Sequence, residues 1–136
     1  LINLAVMYQT GNGVSLDAIK AIEYYERACK IDKTGSAEYN LGTLYYMGCG
    51  IIRKDYEKAY ELFHKSADTG YAPAQYNLGV MYLNGEHVKK NDEIGIAYIK
   101  KAAKQKYQLA VDYMNRSRKT KMKSILNSVL NSVSIQ

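Results

Sequence analysis

Residues 37–51 read AEYNLGTLYYMGCGI, and residues 74–88 read AQYNLGVMYLNGEHV. The two are copies of one pattern, and a fainter third copy opens the chain. Asn3-Leu4, Asn40-Leu41 and Asn77-Leu78 stand 37 residues apart, as do Tyr8, Tyr45 and Tyr82, and again Gly11, Gly48 and Gly85. A fixed period of this length is the signature of a repeat architecture, in which each unit buries its apolar face against the next. After each glycine comes a hydrophobic residue (Val14, Ile51, Val88), then a side chain suited to capping a helix N-terminus: Asp17, Asp55 and Asn91. Beyond each cap, small and large apolar residues recur at helical spacing. Ala21, Tyr24, Tyr25, Ala28 and Cys29 form one such stripe; Ala59, Leu62, Phe63, Ser66 and Ala67 form the next; Gly95, Tyr98, Ile99, Ala102 and Ala103 form the third.

The unit is therefore a helix A, a glycine turn, a helix B and a short return. The expected fold is all-α: a right-handed α-solenoid of about three helix-turn-helix units over residues 1–107, divided near 1–35, 36–71 and 72–107. Gly11, Gly48 and Gly85 are placed to end helix A in a left-handed conformation, and Gly35 and Gly70 to end helix B, where the third unit has Lys106. Ala5, Gly42 and Gly79 share a position inside helix A. Glycine there costs about 1 kcal/mol relative to alanine, so a close approach of helix B is expected to offset it.

These strings, each followed by D-x-x-K-A or a relative and then by K-A-A or K-S-A, resemble Sel1-like repeats, a branch of the tetratricopeptide-like solenoids. The resemblance covers residues 1–107. It implies a protein-interaction role, in bacterial signalling, envelope or host contact, or as a lumenal scaffold in eukaryotes. Three departures stand out: His87 replaces the usual second turn glycine, Ile94-Gly95 replaces the Lys-Ala of Lys20-Ala21 and Lys58-Ala59, and no copy has Trp in helix B. The family's device of tying the two helices of one repeat by cysteines is not expected, because Cys29 and Cys49 fall in neighbouring repeats.

Past Tyr107 the pattern decays. Ala110 and Met114 still match Ala74 and Leu78, but no glycine turn follows; Arg116, Arg118, Lys119, Lys121 and Lys123 come instead, then apolar residues from Ile125 to Val133 at helical spacing. Residues 108–136 are expected to form a degenerate fourth helix A and a basic amphipathic cap, in one piece or two, covering the end of the array. At the other end, the residue matching Ala37 would precede Leu1, which implies a piece of a longer repeat protein or a processed product. Cytoplasmic, periplasmic and secreted locations are all compatible with it.

The chain has 136 residues, of which 47% are hydrophobic and 24% charged, with a formal net charge of +6. That sum conceals a division. Residues 1–99 hold ten Lys/Arg against twelve Asp/Glu, a net −2, whereas residues 100–136 hold nine against one, a net +8. The composition excludes disorder and a bilayer-spanning helix, and two cysteines do not make a disulfide framework.

Catalytic chemistry needs convergent groups, and the sequence offers none. His64 and His87 are far from metal-ligand spacing, so no metal or other cofactor is expected. Cys29, on a packing face, reads as an inert thiol and Cys49 as a turn residue. Lys33-Thr34-Gly35 resembles one β-lactamase tripeptide but lacks the S-x-x-K nucleophile, and is read as a loop; the chain is expected not to be an enzyme.

A partner is expected on the concave face lined by the A helices. On a helical wheel, Ala37, Leu41 and Tyr45 point inward, while Tyr39, Thr43 and Tyr46 fall opposite, flanked by Asn40 and Met47. The corresponding residues are Val6 and Gln9 in the first unit, and Tyr76, Asn77, Val80 and Leu83 in the third. This reading gives a non-catalytic adaptor or scaffold that binds a protein or peptide, with Tyr39 and Tyr76 serving either as contacts or as packing between A helices. Two alternatives stand beside it: an electrostatic tether, whose basic segment attracts nucleic acid or anionic membrane, and an immunity or inhibitor protein. Neither nucleic acid nor membrane is expected as the main partner, since the tyrosines and the basic tail are separate.

Overall fold

The computed structural model describes residues 1–135; residue 136, the last position of the expected cap, lies outside the described residues, as do the side chains of 134 and 135. Seven helices follow one another among the described residues: α1 (Ile2–Thr10), α2 (Ala18–Ile31), α3 (Ser36–Met47), α4 (Tyr56–Thr69), α5 (Ala72–Asn84), α6 (Asp92–Lys104) and α7 (Gln108–Ile135). Each packs chiefly against the helix before it and the helix after it. Helices α1/α2, α3/α4 and α5/α6 are the three expected pairs, so the architecture is an α-solenoid.

Local chemistry explains the boundaries. The side chains of Asp17, Asp55 and Asn91 accept the N–H groups of Lys20, Lys58 and Ile94 at 3.0–3.1 Å, satisfying donors that the first helical turn leaves orphaned. Their own N–H groups donate to the carbonyls of Tyr8, Tyr45 and Tyr82, which draws the start of each B helix against the end of its A helix. The second turn is one residue longer than the others. It absorbs the extra residue in a tight bridge between Cys49 and Ile52.

Within each pair the A helix brings small residues to the interface. A Cβ on Gly79 would lie 2.5 Å from Ile99 Cγ1 and 2.8 Å from the Gly95 carbonyl oxygen, and one on Gly95 would lie 2.8 Å from the Gly79 carbonyl oxygen. The Gly95 that departs from the usual alanine thus faces Gly79 and lets two backbones meet. At Gly42 the neighbour is the Phe63 ring, 2.9 Å from such a Cβ. A first core unites the inward residues of α1 to α5, among them Tyr25, Leu44, Phe63 and Leu78; a second, around Ile99, Ala102 and Ala110, seats the start of α7.

Two expectations are corrected. Gly70 ends α4 in a left-handed conformation, but Gly35 does not end α2: that helix stops at Ile31, and Gly35 lies just before α3 at φ 90°. Asp32 intervenes because its carboxylate accepts the Ala37 N–H at 3.1 Å together with the Thr34 and Ser36 hydroxyls, starting the next helix instead. The C-terminal segment is one unbroken helix, and only its first two turns act as a cap. Ala110 is buried and Val111, Tyr113 and Met114 are half-buried, whereas every residue from 115 to 133 is exposed. The cause is visible at position 121: in the register that sets Ala110 and Met114 on Ala74 and Leu78, the glycine that ends helix A falls there, and this chain has Lys121. Nothing turns the chain back, and α7 runs on past its neighbour.

Candidate functional site

A groove of about 520 Å³ runs between α3 and α5, lined by Tyr39, Thr43, Tyr46, Met47, Phe63, Tyr76, Asn77, Val80, Met81 and Glu86. Seven of the residues expected to face a partner meet there. The remaining four lie elsewhere. Asn40 is half-buried on α3 outside the lining; Leu83 packs against the second core; Val6 is exposed on α1; Gln9 accepts the Tyr25 hydroxyl at 2.6 Å through its side chain and the Cys49 thiol at 3.5 Å through its carbonyl.

The lining is mostly apolar with a few polar edges. Tyr39 forms part of the wall, its ring against Phe63 and Tyr71, and its hydroxyl accepts the Asn77 side-chain N–H at 2.9 Å. That hydrogen bond joins successive A helices, so the hydroxyl of Tyr39 is committed while its ring remains in the groove. Thr43, also in the lining, donates its hydroxyl to the Tyr39 carbonyl at 3.0 Å. At one end Tyr46 meets Tyr56 and His87, and the His87 ring stacks on Tyr56 with centroids 3.6 Å apart. His87 takes the left-handed conformation of the glycine it replaces, at φ 60°. Glu86 supplies the one carboxylate of the lining. Phe63, Met81 and Glu86 were not among the expected residues. Phe63 reaches the groove from α4 only because Gly42 leaves room for its ring, a juxtaposition that a wheel of α3 alone does not contain.

The titratable groups elsewhere are held in structural roles. Burial, aided by the nearby Glu38 carboxylate, raises the Cys29 thiol to about 11, and burial also raises Cys49; both are free cysteines. His64 has its Nε2 3.4 Å from the Tyr82 hydroxyl and its Nδ1 3.3 Å from that of Tyr98, and the Tyr60 hydroxyl bonds Tyr82. Burial lowers the His64 pKa, with Asp68 opposing, and burial together with the hydrogen bond to Tyr82 raises that of Tyr60. Lys33-Thr34-Gly35 lies in the loop before α3, where Thr34 donates to Asp32. No group of three His, Cys, Asp or Glu among the described residues is arranged to hold a metal ion.

The Sel1 repeat family profile matches residues 1–32, 35–71 and 72–107. The chain belongs to the Sel1 repeat family. Among solved structures it is similar to a Sel1 repeat protein from Oxalobacter formigenes, with a TM-score of 0.73, 29% sequence identity, and coverage of 85% of this chain and 46% of that one. Among curated proteins it is 35% identical to the ERAD-associated E3 ubiquitin-protein ligase component HRD3B of Arabidopsis thaliana, over 61% of this chain and 15% of the relative. It is also 35% identical to cytochrome c oxidase assembly factor 7A of Xenopus laevis, over 60% of this chain and 35% of the relative. The chain thus spans well under half the length of the curated relatives. Each Sel1 repeat corresponds to one helix pair, and α7 begins where the last match ends.

Proposed function

We propose that this Sel1 repeat array is a non-catalytic interaction module that holds a segment of a partner protein in the groove between α3 and α5. The observation that carries the reading is the groove itself: an apolar, aromatic channel formed by two successive A helices, with Asn77, Thr43 and Glu86 as polar edges. Tyrosine, methionine and phenylalanine are side chains that anchor protein interfaces, since they supply contact area at small entropic cost. An apolar groove with a few polar groups suits an extended or helical peptide bearing one or two large hydrophobic side chains. The names of the relatives, a ligase component and an assembly factor, point to work done with other proteins.

Selection of peptides from a random library on the immobilised chain tests the reading. Selected peptides are expected to lose about tenfold or more in affinity when Thr43→Arg and Val80→Arg fill the groove, because an apolar anchor of that size contributes roughly 2 kcal/mol. Both positions are half-buried on the groove side, so circular dichroism should show the array still folded. Peptides that bind the double variant as tightly as the native chain would refute the groove.

A further inference from the structure

We propose that the projecting half of α7 lies on the surface of an anionic lipid bilayer. Met122, Ile125, Leu126, Val129, Leu130 and Val133 are each more than half exposed among the described residues. At 100° per residue they occupy one arc about 140° wide, with Ser124, Asn127, Ser128 and Asn131 on the opposite side. Immediately N-terminal to the arc, the same helix carries Arg116, Arg118, Lys119, Lys121 and Lys123, all within about 110° of its midline. Lys100 and Lys104 on α6 join Arg118 around a cleft of about 370 Å³ at the base of the arm. After Asp112 the chain has no acidic residue.

The occupant must therefore satisfy two demands at once: negative charge beside residues 100–123, and an apolar medium for six aliphatic side chains. An anionic bilayer surface offers both, headgroups for the cations and the acyl boundary for the stripe. A parallel second copy of α7 would bring the two sets of cations together, and an antiparallel one would still offer them no carboxylate, since none follows Asp112. Its apolar stripe covers only about 18 Å, short of the three heptads that sustain a coiled coil, and is wider than a two-stranded seam. Nucleic acid would meet the cations but leave the stripe in water. No helix among the described residues is long and apolar enough to cross a membrane, so the arm lies along the surface.

Flotation of the full chain with phosphatidylcholine vesicles containing about one third phosphatidylserine, against phosphatidylcholine alone, is the test. Binding to the anionic vesicles alone is expected, falling steeply with salt. Lys119→Gln with Lys121→Gln and Lys123→Gln should weaken it about a hundredfold, at roughly fivefold per cation. Leu126→Asn with Leu130→Asn should weaken it about tenfold or more. All five positions are exposed, and circular dichroism verifies that each variant keeps its helices. Absence of flotation overturns the proposal, as does flotation indifferent to the Asn pair. Two outcomes would reassign the surface: a concentration-dependent dimer, abolished by the Asn pair and without vesicle binding, to a second copy; and tighter binding to duplex DNA than to vesicles, unchanged by the Asn pair, to nucleic acid.

Discussion

Lys106 stands at φ 64°, in the left-handed region where the corresponding position of the second repeat has Gly70 at φ 105°. A side chain there costs about 1–2 kcal/mol, part of which a glycine would return as flexibility of the unfolded chain. Lys106→Gly is thus expected to stabilise the array by about 0.5–1 kcal/mol in urea titrations. Gly79 is the opposite case. Alanine would gain about 1 kcal/mol of helix propensity but would strike Ile99 and the Gly95 backbone, and overpacking typically costs about 1–3 kcal/mol. Gly79→Ala should therefore lower the thermal midpoint, and by more than Gly42→Ala, where the nearest atoms are those of a phenyl ring at 2.9 Å and the nearest backbone carbonyl is 3.3 Å away. His64 makes stability pH-dependent. Its pKa is lowered in the folded chain, so protonation favours unfolding; the stability it contributes is complete above the unfolded value near 6.5 and is lost as pH falls through and below that value. His64→Gln should flatten the fall of the stability profile that begins as pH drops below the unfolded value near 6.5.

At the scale of the helix, the recurring Asp, Asp and Asn caps show how one residue type at one register starts each B helix. Asp55→Ala should cost about 1 kcal/mol, the usual loss when a capping carboxylate disappears. Helix α7 divides into a packed start and a projecting remainder. Deleting residues 117–136 is expected to leave the thermal midpoint nearly unchanged, because residues 115–133 are all exposed and none belongs to either core. Deletion from residue 108 uncovers Ile99 and Ala102 and should lower it clearly. The periodic signal made each helix pair legible without coordinates. It also marked the missing glycine turn after Met114, at 121, but an absent turn does not say where a continued helix goes, and the apolar residues read equally well as a cap.

For the whole molecule, the split between a mildly acidic array and a basic arm means that salt distinguishes the two proposed contacts. Binding in the groove rests on apolar contact and should vary little with ionic strength, whereas any contact through residues 100–123 should weaken steeply as salt rises. The amino-acid sequence alone determined the family, the helix pairs, the caps and the outward face of each A helix, because those depend on spacing along the chain. Seven of the residues named from that spacing line the groove. Tertiary structure decided what spacing does not contain: that Phe63 enters the groove beside Gly42, that Gln9 and Leu83 are occupied by packing, that Tyr39 ties α3 to α5 through Asn77, and that the distal half of α7 has no intramolecular surface to cover. Each of these depends on which atoms meet across helices far apart in the chain. A repeat period specifies the units and their succession; the surface they leave open follows only from how closely they approach one another.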